Sequence, residues 1–392
     1  MSTTAHTTSV AIACGGTGGH LFPGLAVAEK LRERGCHVTL LVSPKDVDQQ
    51  AVKGVQGMSV VTLLAVAFQQ GSRLAFFRGC ARSYRAAKKL FQEHRPDAAL
   101  GMGGFTSTPP LLAAKHCGAA TFLHESNAIP GRANRWLAWV VDRAFVGFPS
   151  AAAQLHGRNA VVTGTPVRPQ FEAGFAAPNR LALGLHPDRP VVLVVGGSQG
   201  ATGLNDAVLA ALPLFARLEP ETQWMHLTGP RDVERVRAAY TRAGLPAIVL
   251  PFFEAMDVAL AAASVVISRA GASALAEIAA MRVPAVLVPF PAAADNHQWH
   301  NARCFEETGA ARLLEQRLAT PEALARVVRE LLDDVAARDR LRAALVRWQA
   351  PHAAADVADM ILKTVAENRE HKVSAAHSAV ASPPGRHSSV IA

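Results

Sequence analysis

Short apolar runs of three to six residues alternate with longer amphipathic stretches along most of this chain, and that alternation leaves few folds open. The runs fall at 10–13, 37–42, 59–63, 98–101, 120–123 and 144–146, then at 191–195, 223–227, 247–250, 265–267 and 285–288. Helical patterns stand between them, among them 25–34, 133–141, 205–218 and 272–281. Near-continuous apolar strands separated by helices predict parallel sheets covered on both faces. With 392 residues the chain exceeds what one core usually holds, so two domains are expected. A stretch rich in Pro and Gly at 164–190 breaks the rhythm and puts the boundary near Arg168, giving 1–168 and 169–352. Each half opens with a strand, a glycine-rich turn and a helix. The expected fold class is therefore α/β, two doubly wound Rossmann-like domains facing a cleft that holds ligands at the carboxyl ends of the strands. From about Glu367 the chain turns to Ser, Ala, Pro, Gly and His, and 368–392 reads as a disordered tail.

Composition narrows the function classes. Half the residues are apolar and 18% are charged, which suits buried cores rather than disorder or a fibrous design. No apolar run reaches the ~18–20 residues that cross a bilayer. The opening MSTTAHTTSV lacks the basic and apolar regions of a secretory signal, so a cytoplasmic protein is expected. Cys14, Cys36, Cys80, Cys117 and Cys304 are odd in number and far apart, arguing for buried thiols over disulfides or zinc. The formal charge of +9 invites a nucleic-acid reading, yet much of the excess sits in one place. Arg73, Arg78, Arg82, Arg85, Lys88, Lys89 and Arg95 face a single acid, Glu93. The same segment carries Leu74, Phe76, Phe77, Tyr84, Leu90 and Phe91. A basic, apolar segment of helical length suits an anionic membrane surface and lacks a base-stacking platform.

Three loops in the first half carry candidate chemistry. Cys14-Gly15-Gly16-Thr17-Gly18-Gly19-His20 follows the first strand; its glycines admit an anion to the backbone, and the next helix offers free N–H groups. The spacing is not G-x-G-x-x-G, and no acid ends the second strand, so a dinucleotide fold does not fit. His20 is a candidate general base, a phosphate donor, or a residue that merely starts the helix. Gly101-Met102-Gly103-Gly104-Phe105-Thr106-Ser107 is a second cradle, and the pair together points to a large anion such as a diphosphate. His124-Glu125-Ser126-Asn127 ends another strand; Glu125 could hold or deprotonate an acceptor hydroxyl, or only cap a loop while His124 packs quietly.

In the second half, Gly196-Gly197-Ser198-Gln199-Gly200 again has phosphate geometry, with the Ser198 hydroxyl as an added donor. Ser268-Arg269-Ala270-Gly271-Ala272 opens a helix bearing Glu277, a carboxylate that could take both hydroxyls of a ribose or merely face solvent. Asp295-Asn296-His297-Gln298 offers side chains suited to sugar hydroxyls. Two patterns read as decoys. Asp46-Val47-Asp48 is formally a metal-binding D-x-D but stands far from the donor-side loops, and His297 with His300 lacks a third zinc ligand. No metal or other cofactor is expected.

In this order the loops resemble the MurG family, peptidoglycan glycosyltransferases of the GT-B fold that add N-acetylglucosamine to a membrane-bound muramyl-pentapeptide lipid. GGTGGHLFPGLAVAEKL (15–31), GMGGFTS, HESNAIPG, GTPVR (164–168), VVGGSQGA, FFEAM (252–256), SRAGASALAEIAA (268–280) and DNHQ carry the resemblance. It implies a UDP-N-acetylglucosamine site bordered by Thr17, Gly18 and Gly19, reached by Asn127 and Arg168. Ser198 would bond the diphosphate and the Phe253 main chain the uracil. Ala272, Ser273, Ala274, Leu275, Ala276 and Glu277 would form the ribose and phosphate pocket, with Gln298 on the sugar. Gly15, Gly16, Gly103, Gly104 and Phe105 would cradle the acceptor diphosphate of lipid I. Leu74, Phe76, Phe77, Arg78, Arg82, Arg85, Lys88 and Lys89 become the surface that meets the membrane.

The resemblance further implies an inverting, metal-free transfer that makes the β-1,4-linked lipid II, with His20 or Glu125 as base. It makes 1–168 the acceptor domain and 169–352 the donor domain, with a helix at about 353–367 crossing back onto the first. A peripheral location on the cytoplasmic face of the inner membrane, near other cell-wall synthesis proteins, follows from it. Thr165, Ser126 and Phe105 depart from the family's usual Asn, Gln and Tyr. A UDP-N-acetylglucosamine 2-epimerase and a non-catalytic nucleotide-sugar or lipid-diphosphate sensor are the competing readings. The acceptor cradle at 101–107 and the basic apolar segment count against the epimerase, which needs neither.

Overall fold

The computed structural model describes residues 7–16, 18–63, 73–155, 159–197 and 200–380; Thr17 and Ser198 lie outside the described residues. The first sheet is wholly parallel. It holds β1 (Ser9–Ala13), β2 (His37–Val42), β3 (Ser59–Thr62), β4 (Ala98–Gly101), β5 (Ala120–Glu125), β6 (Arg143–Val146) and β7 (Ala160–Val162), in the order β3-β2-β1-β4-β5-β6-β7. The second, also parallel, holds β8 (Val191–Val195), β9 (Gln223–Leu227), β10 (Ala247–Leu250), β11 (Val265–Ser268), β12 (Ala285–Leu287) and β13 (Arg312–Leu313), in the order β10-β9-β8-β11-β12-β13. The strand order reverses at β1 in one sheet and β8 in the other, the position where doubly wound sheets open a crevice. Both glycine loops of the first half leave neighbouring strands, β1 and β4, which pair in register from Val10↔Ala98 to Ala13↔Gly101.

The alternation seen in the sequence is the cause of this arrangement. β4 and β5 are buried at every position and β1 at all but Ser9, because helices cover both faces. The helix Gly18–Glu33 begins earlier than its apolar pattern implied, since Gly18, Gly19 and Pro23 conceal its first turns. The pattern at 133–141 yields only Arg132–Leu137 as α-helix. β7 and β13, with three and two residues, had no readable pattern.

Two further expectations need correction. The last helix does not stop near residue 367 but runs Ala353–Val380, across the first part of the expected tail. It packs Val357, Ala358, Ile361 and Val365 into the first domain's core and pairs Arg34 with Asp359 at 2.6 Å and Arg369 with Asp97 at 2.9 Å. Once nucleated by that packing, an Ala-rich sequence propagates readily, which outweighs its polar composition. In the basic helix Arg73–Glu93 the apolar residues divide. Phe91 is buried and Tyr84 and Leu90 pack against the core, whereas Leu74 and Phe77 are 60% and 65% exposed. Among the described residues no helix is long and apolar enough to cross a membrane.

Candidate active site

β1, β4 and β5 deliver their loops to one cavity of about 610 Å³, lined by His20, Gly104, Phe105, Glu125, Asn127, Pro130, Arg132, Asn134, Asp295 and His297 among others. The loops are knitted together from below. Thr106 Oγ1 donates to the Gly15 carbonyl at 2.8 Å, and Ser107 Oγ donates to the Ala13 and Gly103 carbonyls at 3.0 and 2.7 Å. Gly15 is compulsory here: a Cβ would lie 2.3 Å from the Ser43 nitrogen. Gly103 and Gly104 turn with φ of +109° and +74°, bringing the backbone against the His20 ring.

His20 is half-buried in the first turn of its helix. Burial lowers its pKa, opposed by the negative charge of Glu125 and by the Met102 main chain, so the ring is neutral at neutral pH. His124 is different. Fully buried, its Nε2 donates to the Gly164 carbonyl at 3.1 Å and its Nδ1 accepts from Ser126 Oγ at 3.1 Å, and burial pushes its pKa down to about 4. It holds two loops together. Glu125 organises its own turn: Oε1 accepts from the Asn127 main chain and side chain at 2.8 and 3.1 Å, and Oε2 accepts from Gly131 N and Asn134 Nδ2 at 3.0 and 2.7 Å. Asp48, set aside as half of a D-x-D, points into the chain and not into the cleft, where its Oδ2 accepts from Gly16 N.

Across the cleft, Gly200 (φ +72°) lies where a Cβ would meet the Thr228 carbonyl at 2.3 Å, so the β8 loop tolerates no side chain there. The helix Ala272–Met281 faces the helix Gly18–Glu33, and Ser273 Oγ donates to the Gly19 carbonyl at 3.4 Å. Glu277 has no hydrogen-bond partner among the described residues; burial pushes its pKa up to about 7, Arg168 lowers it and Asp257 raises it. Arg168 itself stacks between Phe22 and Phe171, its guanidinium carbon 4.6 and 5.1 Å from their ring centres. Gln298 Oε1 accepts from Ala270 N and Phe290 N, and Phe253 packs beside the core. On that helix Ala272 and Leu275 are buried, whereas Ser273, Ala274 and Ala276 are half-buried.

Asn301 joins the halves and was not singled out in the sequence. Its Oδ1 accepts from Ala128 N at 2.8 Å, and its Nδ2 donates to Asn127 Oδ1 and the Ala270 carbonyl, both at 3.1 Å. Arg132 and Arg135 pair with Asp295 at 3.3 and 3.4 Å, closing the cavity's rim across the cleft. Asn134 and these two arginines were likewise missed; a polar cluster after Pro130-Gly131 was the only available signal, whereas His297 and Asp295 belong to the motif Asp295-Asn296-His297-Gln298 read from the sequence.

Residues 10–146 match the glycosyltransferase family 28 N-terminal domain, and residues 191–358 match the glycosyltransferase family 28 C-terminal domain. The crystal structure of Acinetobacter baumannii MurG is similar with a TM-score of 0.70 at 30% identity, over 91% of this chain and 100% of that one. A protein of an Anaeromyxobacter species, named UDP-N-acetylglucosamine--N-acetylmuramyl-(pentapeptide) pyrophosphoryl-undecaprenol N-acetylglucosamine transferase, is 39% identical over 368 residues, 90% of this chain and 93% of that protein. The chain belongs to the MurG family of glycosyltransferases. A Xanthomonas euvesicatoria protein of the same name is 40% identical over 366 residues, 90% of this chain and 80% of that protein. A UDP-N-acetylglucosamine 2-epimerase structure has a TM-score of 0.67 at 14% identity, covering 91% of this chain and 95% of that one, which shows a shared fold only. MurG-family membership and the two parallel sheets make this a GT-B protein, and the cavity is lined from both of its halves.

Proposed function

We propose that this chain transfers N-acetylglucosamine from UDP-N-acetylglucosamine to the C4 hydroxyl of undecaprenyl-diphospho-N-acetylmuramoyl-pentapeptide, lipid I, with inversion, giving lipid II. The observation that carries the reading is the match to transferases of that name over nine-tenths of the chain, on a fold whose glycine loops meet in one cavity. His20 takes the proton of the acceptor hydroxyl, whose oxygen attacks the anomeric carbon. The bond from that carbon to the β-phosphate oxygen breaks, and UDP leaves with the electron pair. The helix N-terminus after Gly200 offsets the charge that develops, together with Ser198 and Arg168. Gly15, Gly16, Gly103, Gly104 and Phe105 receive the acceptor diphosphate, and the donor lies against Gly18, Gly19, Ser273 and Glu277. No metal enters this scheme. Incubation with labelled UDP-N-acetylglucosamine and lipid I should move label to the lipid. Free epimerised sugar would instead support an epimerase, and binding without turnover a sensor.

The acceptor lipid requires a membrane, and the helix Arg73–Glu93 is the surface we assign to it. Arg78, Arg82, Arg85 and Lys89 are exposed, with Lys88 half-buried beside them. Phe77 meets Phe76 edge-on at 5.8 Å, and Phe76 meets Phe105 at 5.4 Å, so an apolar path runs from the exposed turn to the cavity wall. That surface supports reading the chain as peripheral at the cytoplasmic face of the inner membrane, beside other cell-wall synthesis proteins. Reversing Arg78, Arg82 and Arg85 to Glu should weaken binding to anionic vesicles at least ~100-fold, since each basic residue near such a surface contributes about 1 kcal/mol. Unchanged cosedimentation with these vesicles would remove the helix from the membrane.

A further inference from the structure

Asp48 is fully buried at the back of the first glycine loop, on the short helix Asp46–Val52. Its Oδ2 accepts hydrogen bonds from Gly16 N at 2.6 Å, from Ser43 N at 3.1 Å and from Ser43 Oγ at 2.5 Å. Its Oδ1 is equally buried and has no partner among the described residues. Three residues upstream, Lys45 Nζ donates to the Gly16 carbonyl at 2.7 Å. The peptide at Gly16 is thus gripped at both of its polar ends, one by an anion and one by a cation, in a conformation (φ +122°) that lacks a helix or strand to support it. Gly16 is four residues from His20, and the helix that carries His20 begins at Gly18. A carboxylate buried at such a point costs free energy unless hydrogen bonds replace the water it loses, and here Gly16 N, Ser43 N and Ser43 Oγ supply them.

We propose that Asp48 is a positioning residue of the active site: its carboxylate anchors Gly16, ahead of the helix that carries His20, from behind and holds His20 in place toward the acceptor. The proposal rests on the reading of His20 as base, and gives the D-x-D aspartate a role in that reading that involves no metal. Electrostatics points the same way. Asp48 and Glu125 are the acids that raise the basicity of His20 against its burial, whereas His297 lowers it. His124 and Cys14 also face this region, and both are uncharged at neutral pH because burial lowers the former and raises the latter. Lys45 is the cation on the same loop.

The test uses the whole protein and follows the His20 ring by NMR titration beside steady-state kinetics. Asp48→Asn removes the charge at almost constant shape and should lower the His20 pKa by on the order of half a unit, with kcat falling about tenfold and the KM for UDP-N-acetylglucosamine little changed. Asp48→Glu keeps the charge but displaces the loop, so it should lower kcat comparably while His20 titrates near its original pH. Should the Asn variant fail to fold, the Glu variant decides alone, and wild-type kcat in it overturns the proposal. An unmoved His20 titration in a folded Asn variant, with only its thermal midpoint reduced, also overturns it and leaves Asp48 structural. Failure of the base reading is seen separately: His20→Ala would then retain kcat, whatever Asp48 does to the ring.

Discussion

Replacing His20 with Ala is expected to lower kcat by ~10²–10⁴-fold while changing the KM for either substrate by no more than about threefold, as befits loss of a positioned proton acceptor. The ring lines the cavity, and burial makes it neutral when it must accept a proton. Its place in a first helical turn, near the positive end of the peptide dipoles, also disfavours the imidazolium. The sign of the pH dependence follows. Because the pKa is lowered, the wild-type rate should hold through neutrality and fall only as acid protonates His20 below the usual histidine range, and that limb should vanish in His20→Ala. Glu125 is the control. Its oxygens already accept from four N–H groups, so taking a proton would break bonds that shape the turn. Glu125→Gln should therefore reduce stability and kcat together, by about 1–3 kcal/mol for a mispaired buried donor, and keep the acid limb at slightly lower pH. Loss of the limb in Glu125→Gln with normal catalysis by His20→Ala would reverse the two roles.

The architecture was legible because a parallel sheet covered on both faces writes itself as apolar runs with nothing alternating in them. Val191–Val195 could hardly be anything else. β13 left no such record: a two-residue edge strand, half exposed, takes its conformation from β12 and not from its own composition. The last helix misled for the opposite reason. Its polar residues after Glu367 read as disorder, yet His371 bonds back to the Glu367 carbonyl at 2.7 Å and Lys372 reaches the Gly118 carbonyl at 3.4 Å.

The site divides along a similar line. Glycines at 16, 103, 104, 197 and 200 all adopt positive φ, so turns that glycine alone makes cheaply were visible as glycine. What stayed hidden were polar side chains whose partners are remote in sequence. Asn301 bonds to Ala128, 173 residues away, with no local pattern to mark it, and Asp48 bonds to Gly16, 32 away, a partner its D-x-D pattern did not suggest. His124 and Glu125 were visible as a pair, but only their partners tell them apart: a ring closed off by Gly164 and Ser126, and a carboxylate filled by its own loop.

Glu277 carries the second large effect, on donor binding. Its carboxylate, on the helix Ala272–Met281, has no hydrogen bond among the described residues and lies within electrostatic reach of Arg168, and burial raises its pKa to about 7. A half-buried carboxylate without hydrogen-bond donors is destabilising when charged, and two ribose hydroxyls would supply the missing donors. Hydrogen bonds to a charged group contribute about 1.5–3 kcal/mol each before desolvation, so Glu277→Ala should raise the KM for UDP-N-acetylglucosamine by ~30–150-fold, with a smaller effect on kcat. The pH dependence runs in a definite direction. Hydroxyl donors favour the ionised carboxylate, which in the free protein predominates only above about pH 7, so donor KM should rise as pH falls through about 7. Glu277→Gln, which cannot ionise, should lack that rise. A 2′-deoxyribose donor supplies the decisive comparison. It should bind the wild type far more weakly than the natural donor, yet bind Glu277→Ala almost as well as the natural donor does, because the partner of the missing hydroxyl is already gone. Equal loss on removing the hydroxyl in both proteins would show that Glu277 does not hold the ribose and that its raised pKa reflects packing between the two helices alone.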